Sequence, residues 1–292
     1  MKKLLLSCLI CLSTLAINAK ILHSEKSLYR NIIVEEKSGR RCMIFGRLSK
    51  HPDQQSCIDR ENPDYLVFSY TKLVMAGLAM QPNPKSILIV GLGGGTLPMS
   101  FEKVYPNTKI DTVEIDISVL NVAKQWFDYT ESDNQNTHTI DGRVFVKRQL
   151  RRNKQYDLVI LDAFNGDYIP EHLMTEEFLN EIKQSLNSEG LLIANTFSRN
   201  KLYHNESVTY QKVFGKFNYI HSKRSGNRII YAKKNGNPYE KSLLKNDRII
   251  RELTEIGVNF VEFEKLLTNE PDWKENARPL TDQYSPANLL NQ

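Results

Sequence analysis

Between Ser86 and Asn195 the chain alternates short, continuous apolar runs with helix-patterned stretches, and this alternation limits the fold more than any other feature of its 292 residues. Ser86 to Val90 (SILIV) reads as a strand buried on both faces and runs straight into Gly91-Leu92-Gly93-Gly94-Gly95. A helix is expected from Leu97 to Val104, a second strand from Lys109 to Ile115 (KIDTVEI) and a second helix from Ser118 to Phe127. Val144 to Gln149 belongs to a third crossover. Tyr156 to Leu161 (YDLVIL) is another buried strand, Glu176 to Leu186 a helix, and Gly190 to Asn195 (GLLIAN) a further strand. Strands and helices that alternate in this way pair in parallel through right-handed crossovers, with helices on both faces. The expected fold class is α/β, a doubly wound Rossmann-like sheet that binds a nucleotide-type ligand.

The flanks follow other patterns. MKKLLLSCLICLSTLAINAK begins with Lys2 and Lys3, stays apolar from Leu4 to about Ile17 and offers the small Ala19 for cleavage, the layout of a signal peptide over 1–19. The apolar run is short for a span of ~20 residues, and no later segment is long and apolar enough, so no membrane contact beyond the leader is expected. Export to a periplasmic compartment follows; if the leader is not cleaved, the alternatives are a cytoplasmic or membrane-anchored protein. Of four cysteines, Cys8 and Cys11 lie in the leader, which leaves Cys42 and Cys57 as either a disulfide or two free thiols. Residues 20–62 read as a small N-terminal β unit, with extended patterns from Tyr29 to Glu35 and Cys42 to Phe45 around a Lys37-Ser38-Gly39 turn. Asn62-Pro63-Asp64 offers a helix start, and Tyr65 to Met80 carries apolar residues at helical spacing. That helix opens the main domain, 63–235, whose tail holds a helix from Glu206 and strands over Phe217 to Ser222 and Arg228 to Ala232. The remainder, 236–292, is a helical appendage (Lys241 to Phe263) that ends in a polar loop, Leu280 to Pro286.

In an open parallel sheet the ligand lies beyond the carboxyl ends of the strands, so the residues directly after each strand are the informative ones. Gly91, Gly93, Gly94 and Gly95 permit a tight turn and close approach of backbone to a ligand, although such a turn can exist without one. Glu114 follows about twenty residues later, at the end of the second strand, where a carboxylate accepts hydrogen bonds from both ribose hydroxyls. Asp116 suits the N-cap of the next helix. Asp141-Gly142 is either an acceptor for the exocyclic amine of adenine or an ordinary turn. Asp162, directly after YDLVIL, faces the ligand and has the position of a general base, whereas Asp157 faces the opposite rim as a structural residue. A pyrophosphate turn has the form G-x-G-x-x-G; here the sixth position is Thr96, and a further acid at Asp141 sits badly beside phosphates. An S-adenosyl-type ligand is therefore expected rather than a dinucleotide. Neither Cys42 and Cys57 nor the six scattered histidines have the spacing of a metal site, and no metal is expected.

In this order the residues resemble the polyamine aminopropyltransferase family, the spermidine and spermine synthases. The resemblance runs over Gln55-Ser56, the helix bearing Tyr70, Gly91 to Gly95, Val113-Glu114-Ile115-Asp116, Asp141-Gly142-Arg143 and Tyr156 to Asp162, and more loosely to Ala232. It implies transfer of an aminopropyl group from decarboxylated S-adenosylmethionine to a polyamine, with the donor as co-substrate and no tightly bound cofactor. It also implies that Gln55, the glycine turn and Glu114 hold the donor, Asp141-Gly142 its adenine, and Tyr70 and Asp167 the acceptor, while Asp162 deprotonates the attacking amine. The chain departs from the family pattern at Thr96, where an aspartate usually meets the donor's amine, and at Thr71-Lys72, where a glutamate is usual. It departs again at Asn165, with Asp167 two residues further on. Ala163 to Leu173 and Leu280-Thr281-Asp282 resemble a divergent bacterial branch of spermidine synthase-like proteins.

Two other functions share this scaffold: an S-adenosylmethionine-dependent methyltransferase, which Thr96 would suit, and a non-catalytic polyamine- or nucleoside-binding protein. Small molecules are the expected partners, and a homodimer is compatible with each function. Charged residues make up 25% of the chain, mixed in sign around a formal net charge of +5, so nucleic acid is not an expected partner.

Overall fold

The N-terminal strands alternate apolar residues toward one face, and that face needs a partner to cover it. The computed structural model describes residues 19–46, 54–164, 169–222, 226–235 and 247–286. In it β1 (Lys20–Lys26), β2 (Asn31–Lys37), β3 (Arg40–Phe45) and β4 (Gln54–Asp59) form an antiparallel sheet in sequence order. Ile32, Val34, Met43, Phe45 and Ile58 pack from it onto Val119, Val122 and Phe127 of the main domain. Cys42 and Cys57 face each other across β3 and β4 and are joined by a disulfide. β1 was outside the expected strands because KILHSEK is an exposed edge with no clean alternation.

α1 (Ser69–Ala76) begins later than the apolar spacing suggests, and a 3₁₀ turn, Gly77–Ala79, follows it. The expected start at Asn62-Pro63-Asp64 is corrected by three bonds that pull this stretch out of helical geometry. Tyr65 N–H closes a turn on the Asn62 carbonyl (3.0 Å), Leu66 N–H donates to the Ile256 carbonyl (3.1 Å), and Asp64 pairs with Lys103.

The main domain continues as β5 (Ser86–Val90), α2 (Thr96–Val104), β6 (Lys109–Glu114), α3 (Ile117–Trp126), β7 (Gln135–Thr139), α4 (Gly142–Arg151), β8 (Tyr156–Leu161), α5 (Glu176–Ser185) and β9 (Leu186–Phe197). Then come α6 (Tyr203–Phe214), β10 (Asn218–His221), β11 (Asn227–Lys233), α7 (Asp247–Glu255) and α8 (Phe260–Leu266). The sheet order is β10-β11-β9-β8-β5-β6-β7; β9 to β7 run parallel, and β10 and β11 are added antiparallel. Successive residues of a strand point to opposite faces, so one run supplies two cores. Ile87, Ile89, Leu158, Ile160 and Ile193 pack against α1, α2, α7 and α8. Leu88, Val90, Val159, Leu161 and Leu192 pack against α4, α5 and α6. β7 (QNTHT) escapes an apolar-pattern search because it is a polar edge strand with β6 as its neighbour.

From β5 the chain winds outward through β6 and β7, then returns to place β8 on the other side of β5. The switch point between β5 and β8 opens a crevice at the strands' carboxyl ends. At the opposite rim Asp157 accepts from the backbone N–H groups of Lys85 and Ser86 and from Asn187, the structural role expected of it. The C-terminal polar loop is docked rather than loose. Leu280 is fully buried, and the Asp282 carboxylate accepts two bonds from the Arg143 guanidinium (2.6 and 2.8 Å) and one from Thr175 (2.7 Å).

Candidate active site

The glycine turn leaves β5 and is held against β8 so closely that a side chain would not fit. Gly91 has a left-handed φ of 106°, and a Cβ there would lie 2.2 Å from the Asp162 carbonyl oxygen. The turn and the residue after β8 therefore form one wall of a cavity of about 300 Å³. Gly91 and Gly93 line it, whereas Gly94 packs against Ser56 and Phe127 and Gly95 against Tyr129.

Glu114 ends β6 on the same rim. One carboxylate oxygen accepts from Leu92 N–H (3.2 Å) within the glycine turn and the other from Asp116 N–H (3.0 Å). Burial raises its pKa, while these two donors and the nearby Arg30 charge pull the other way. Each oxygen keeps a lone pair for a ligand hydroxyl. Asp116 caps α3 by accepting from Ser118 N–H (3.0 Å), as its position suggests.

Asp162 lies across the crevice, deep in the molecule and partly open to the cavity. Asn195 donates to one of its oxygens (2.8 Å) and the Tyr70 hydroxyl to the other (3.3 Å). Burial pushes its pKa up to about 7 against the opposing pull of those two bonds. Burial and the neighbouring carboxylate hold the Tyr70 hydroxyl far above its ordinary range, so it stays a donor. A carboxylate with this pKa takes up and releases protons near neutral pH.

Asp141 caps α4 through Val144 N–H (2.9 Å), and its other oxygen accepts from His172 Nε2 (2.7 Å); the His172 bond holds its pKa below the usual carboxylate range. Both readings of Asp141-Gly142 are thus spatially compatible, since the cap also lines the cavity together with Gly142. Gln55 lines the cavity from β4 beside Gln54 and Ser56, and Ser56 approaches the Thr96 hydroxyl (3.3 Å). Asp167 and Asn165 lie outside the described residues.

The lining also includes polar side chains that neither the glycine turn nor the strand-end acids point to, among them Arg30, His172, Asn195 and Asn227. Asn195 ends the GLLIAN run near the carboxyl end of β9 (Leu186–Phe197), a position like that of Asp162 on β8 but without a charge to mark it. Arg30 comes from the β1–β2 connection. Its Nε is enclosed with no hydrogen-bond partner among the described residues, 3.9 Å from an Asp116 oxygen, and its guanidinium stacks on Phe45. No local signal marks it. Among the described residues no group of three or more His, Cys, Asp or Glu side chains is arranged to hold a metal, and no helix is long and apolar enough to cross a membrane.

Comparison with known proteins identifies the family. The spermine/spermidine synthase domain matches residues 67–223. A polyamine aminopropyltransferase of Vibrio vulnificus is 44% identical over 273 residues, covering 92% of this chain and 91% of that one. An eEF1A lysine and N-terminal methyltransferase of Bos taurus is 35% identical over 150 residues, but these are 46% of this chain and 22% of the relative. Among solved structures, a probable spermidine synthase from Corynebacterium glutamicum superposes with a TM-score of 0.66 at 21% identity, over 89% of this chain and 96% of that one. Spermidine synthase from Thermotoga maritima does so at 0.59 and 19%, over 84% and 87%. A sheet that places Glu114 and Asp162 on either side of one glycine turn, in a sequence this similar over nearly its whole length, belongs to the spermine/spermidine synthase family.

Proposed function

We propose that the protein transfers an aminopropyl group from decarboxylated S-adenosylmethionine to a polyamine, with Asp162 as general base. Asp162 carries this reading, because its pKa near 7 and its place beside the glycine turn at the cavity wall suit removal of a proton from a cationic amine. The donor's ribose is assigned to Glu114 and its adenine to the Asp141-Gly142 end, with Gly91 and Gly93 allowing close approach of the backbone. The acceptor's ammonium gives one proton to Asp162. The free amine then attacks the carbon beside the sulfonium, and the C–S bond breaks with its electron pair on sulfur, so that methylthioadenosine leaves. Tyr70, and Asp167 by family resemblance, are assigned to the acceptor.

Thr96 favours a second reading, methyl transfer from S-adenosylmethionine, because a hydroxyl in place of an aspartate does not select against the donor's carboxylate. The two separate by product. Incubation with decarboxylated S-adenosylmethionine and putrescine, spermidine or cadaverine should yield methylthioadenosine and a lengthened amine. S-adenosylhomocysteine formed from S-adenosylmethionine would replace this reading with methyl transfer, and adenosyl-ligand binding without any product would overturn both. We further propose that the protein is exported, which the leader pattern and the Cys42–Cys57 disulfide support.

A further inference from the structure

We infer that Asn195 and Asn227 form an amide relay that orients Asp162 and leaves the Asn227 side-chain carbonyl as the docking point for the acceptor's amine; this rests on the transfer reading above. An ionised carboxylate only accepts hydrogen bonds, so Asn195 must turn its NH₂ toward Asp162, where the distance is 2.8 Å. Its carbonyl then faces the other way, and Asn227 Nδ2 donates to it at 2.9 Å. The polarity of the second amide is thereby fixed from the first. One N–H of Asn227 is spent on the relay, and its carbonyl is the acceptor left at the cavity wall, which both asparagines line.

The backbone holds this arrangement. Asn195 lies in β9 and Asn227 opens β11, in an antiparallel register that pairs Asn195 with Ile229 and Asn227 with Phe197. The Asn227 main-chain carbonyl accepts from Ser222 N–H and from the Ser198 hydroxyl, both at 2.8 Å, so the residue cannot swing freely. Phe68, Phe164 and Phe197 line the cavity as well, the last two meeting edge to face at 5.0 Å. Aromatic faces and an amide carbonyl suit an alkylamine, whose chain is apolar and whose nitrogen carries several N–H donors. Among the described cavity-lining residues the carboxylates are Glu114, Asp141 and Asp162, and the first two are assigned to the donor. Among the described residues the amine therefore meets one free carboxylate, Asp162, and one oriented neutral oxygen, Asn227.

The test reads the relay in two ways. Asn227→Leu should raise KM for the amine about tenfold while kcat changes less, because it removes a docking bond. Asn227→Asp puts an acceptor where a donor is required, draws the Asn195 NH₂ away from Asp162 and should move the acid limb of the kcat/KM profile to higher pH. Asn195→Leu should move that limb the same way, and calorimetric affinity for methylthioadenosine should be unchanged in all three. Carbon-13 carboxyl titration of Asp162 follows the relay without catalysis, so a protein that proves inactive toward amines would sink the transfer reading while the relay is still decided. An Asp162 titration that is the same in wild type, Asn195→Leu and Asn227→Asp would overturn the orienting role. An amine KM unmoved in Asn227→Leu would overturn the docking role. If Asn195→Leu does not fold, the Asn227 variants at the strand end carry both readouts.

Discussion

Glu114 and Asp162 stand on either side of the glycine turn in one cavity, both deep in the molecule and both accepting two hydrogen bonds, yet they are held by different kinds of donor. Glu114 is fixed by main-chain N–H groups of Leu92 and Asp116, with the Arg30 charge nearby. Those donors can neither rotate away nor lose a proton, so the carboxylate is a rigid acceptor. Asp162 is held by neutral side chains, the Asn195 amide and the Tyr70 hydroxyl, and burial dominates until its pKa reaches about 7. Similar burial thus makes a binding group on one side and a proton carrier on the other, according to what satisfies the oxygens.

The contrast breaks most visibly at Asp162. Asp162→Asn should lower turnover by ~10²–10⁴ while leaving the affinity for methylthioadenosine nearly intact, as steady-state assays and calorimetry would show. The same change should stabilise the fold in a pH-dependent way. The folded pKa of about 7 lies above an unfolded value of ~3.9, so ionisation costs the native state progressively as pH rises between those values. Thermal melts should find the variant more stable than wild type at pH 8 and equal to it below about pH 4; equal melting temperatures at pH 8 would refute the raised pKa.

On the other side, Glu114→Ala should weaken methylthioadenosine binding by about 1–3 kcal/mol with a smaller effect on kcat, since the ribose loses its fixed acceptor. An unchanged dissociation constant would move the ribose elsewhere. The smallest effect is expected from the N-terminal sheet. β4 brings Gln54, Gln55 and Ser56 to the cavity beside Cys57, so reducing the disulfide should weaken donor binding only a few-fold, less than about 1 kcal/mol. Protein from the cell envelope should show the mass of a chain beginning near Lys20 and no alkylatable thiols before reduction. A full-length mass, or two free thiols, would contradict export.

The sequence displayed the sheet and its charged strand ends because both are local patterns. SILIV, KIDTVE and YDLVIL announce buried strands, and Glu114 and Asp162 follow directly from where those strands stop. β7 carried no such pattern, since an edge strand with Gln135 and His138 has no need of an apolar run. The apolar spacing starts the helix too early near Asn62 because the deciding contact, Leu66 to Ile256, joins residues far apart in the chain. Arg30, His172 and Asn227 were invisible for the same reason: each reaches the cavity from a connection or a strand start whose place depends on the assembled sheets.

The docked C-terminal loop bears on the order in which the protein is made. Arg143 emerges during synthesis 139 residues ahead of Asp282, the carboxylate that grips it with two bonds. Until then its guanidinium has Glu181 and, at 3.4 Å, the carbonyl of His172, the residue bonded to Asp141 at the cavity rim. The parallel strands can therefore wind before Asp282 arrives, but the Arg143 guanidinium beside His172 is held from both sides only once it does. A protease that clips just before residue 282 would leave a folded sheet in which Arg143 and Thr175 had lost the carboxylate that joins them behind the cavity rim.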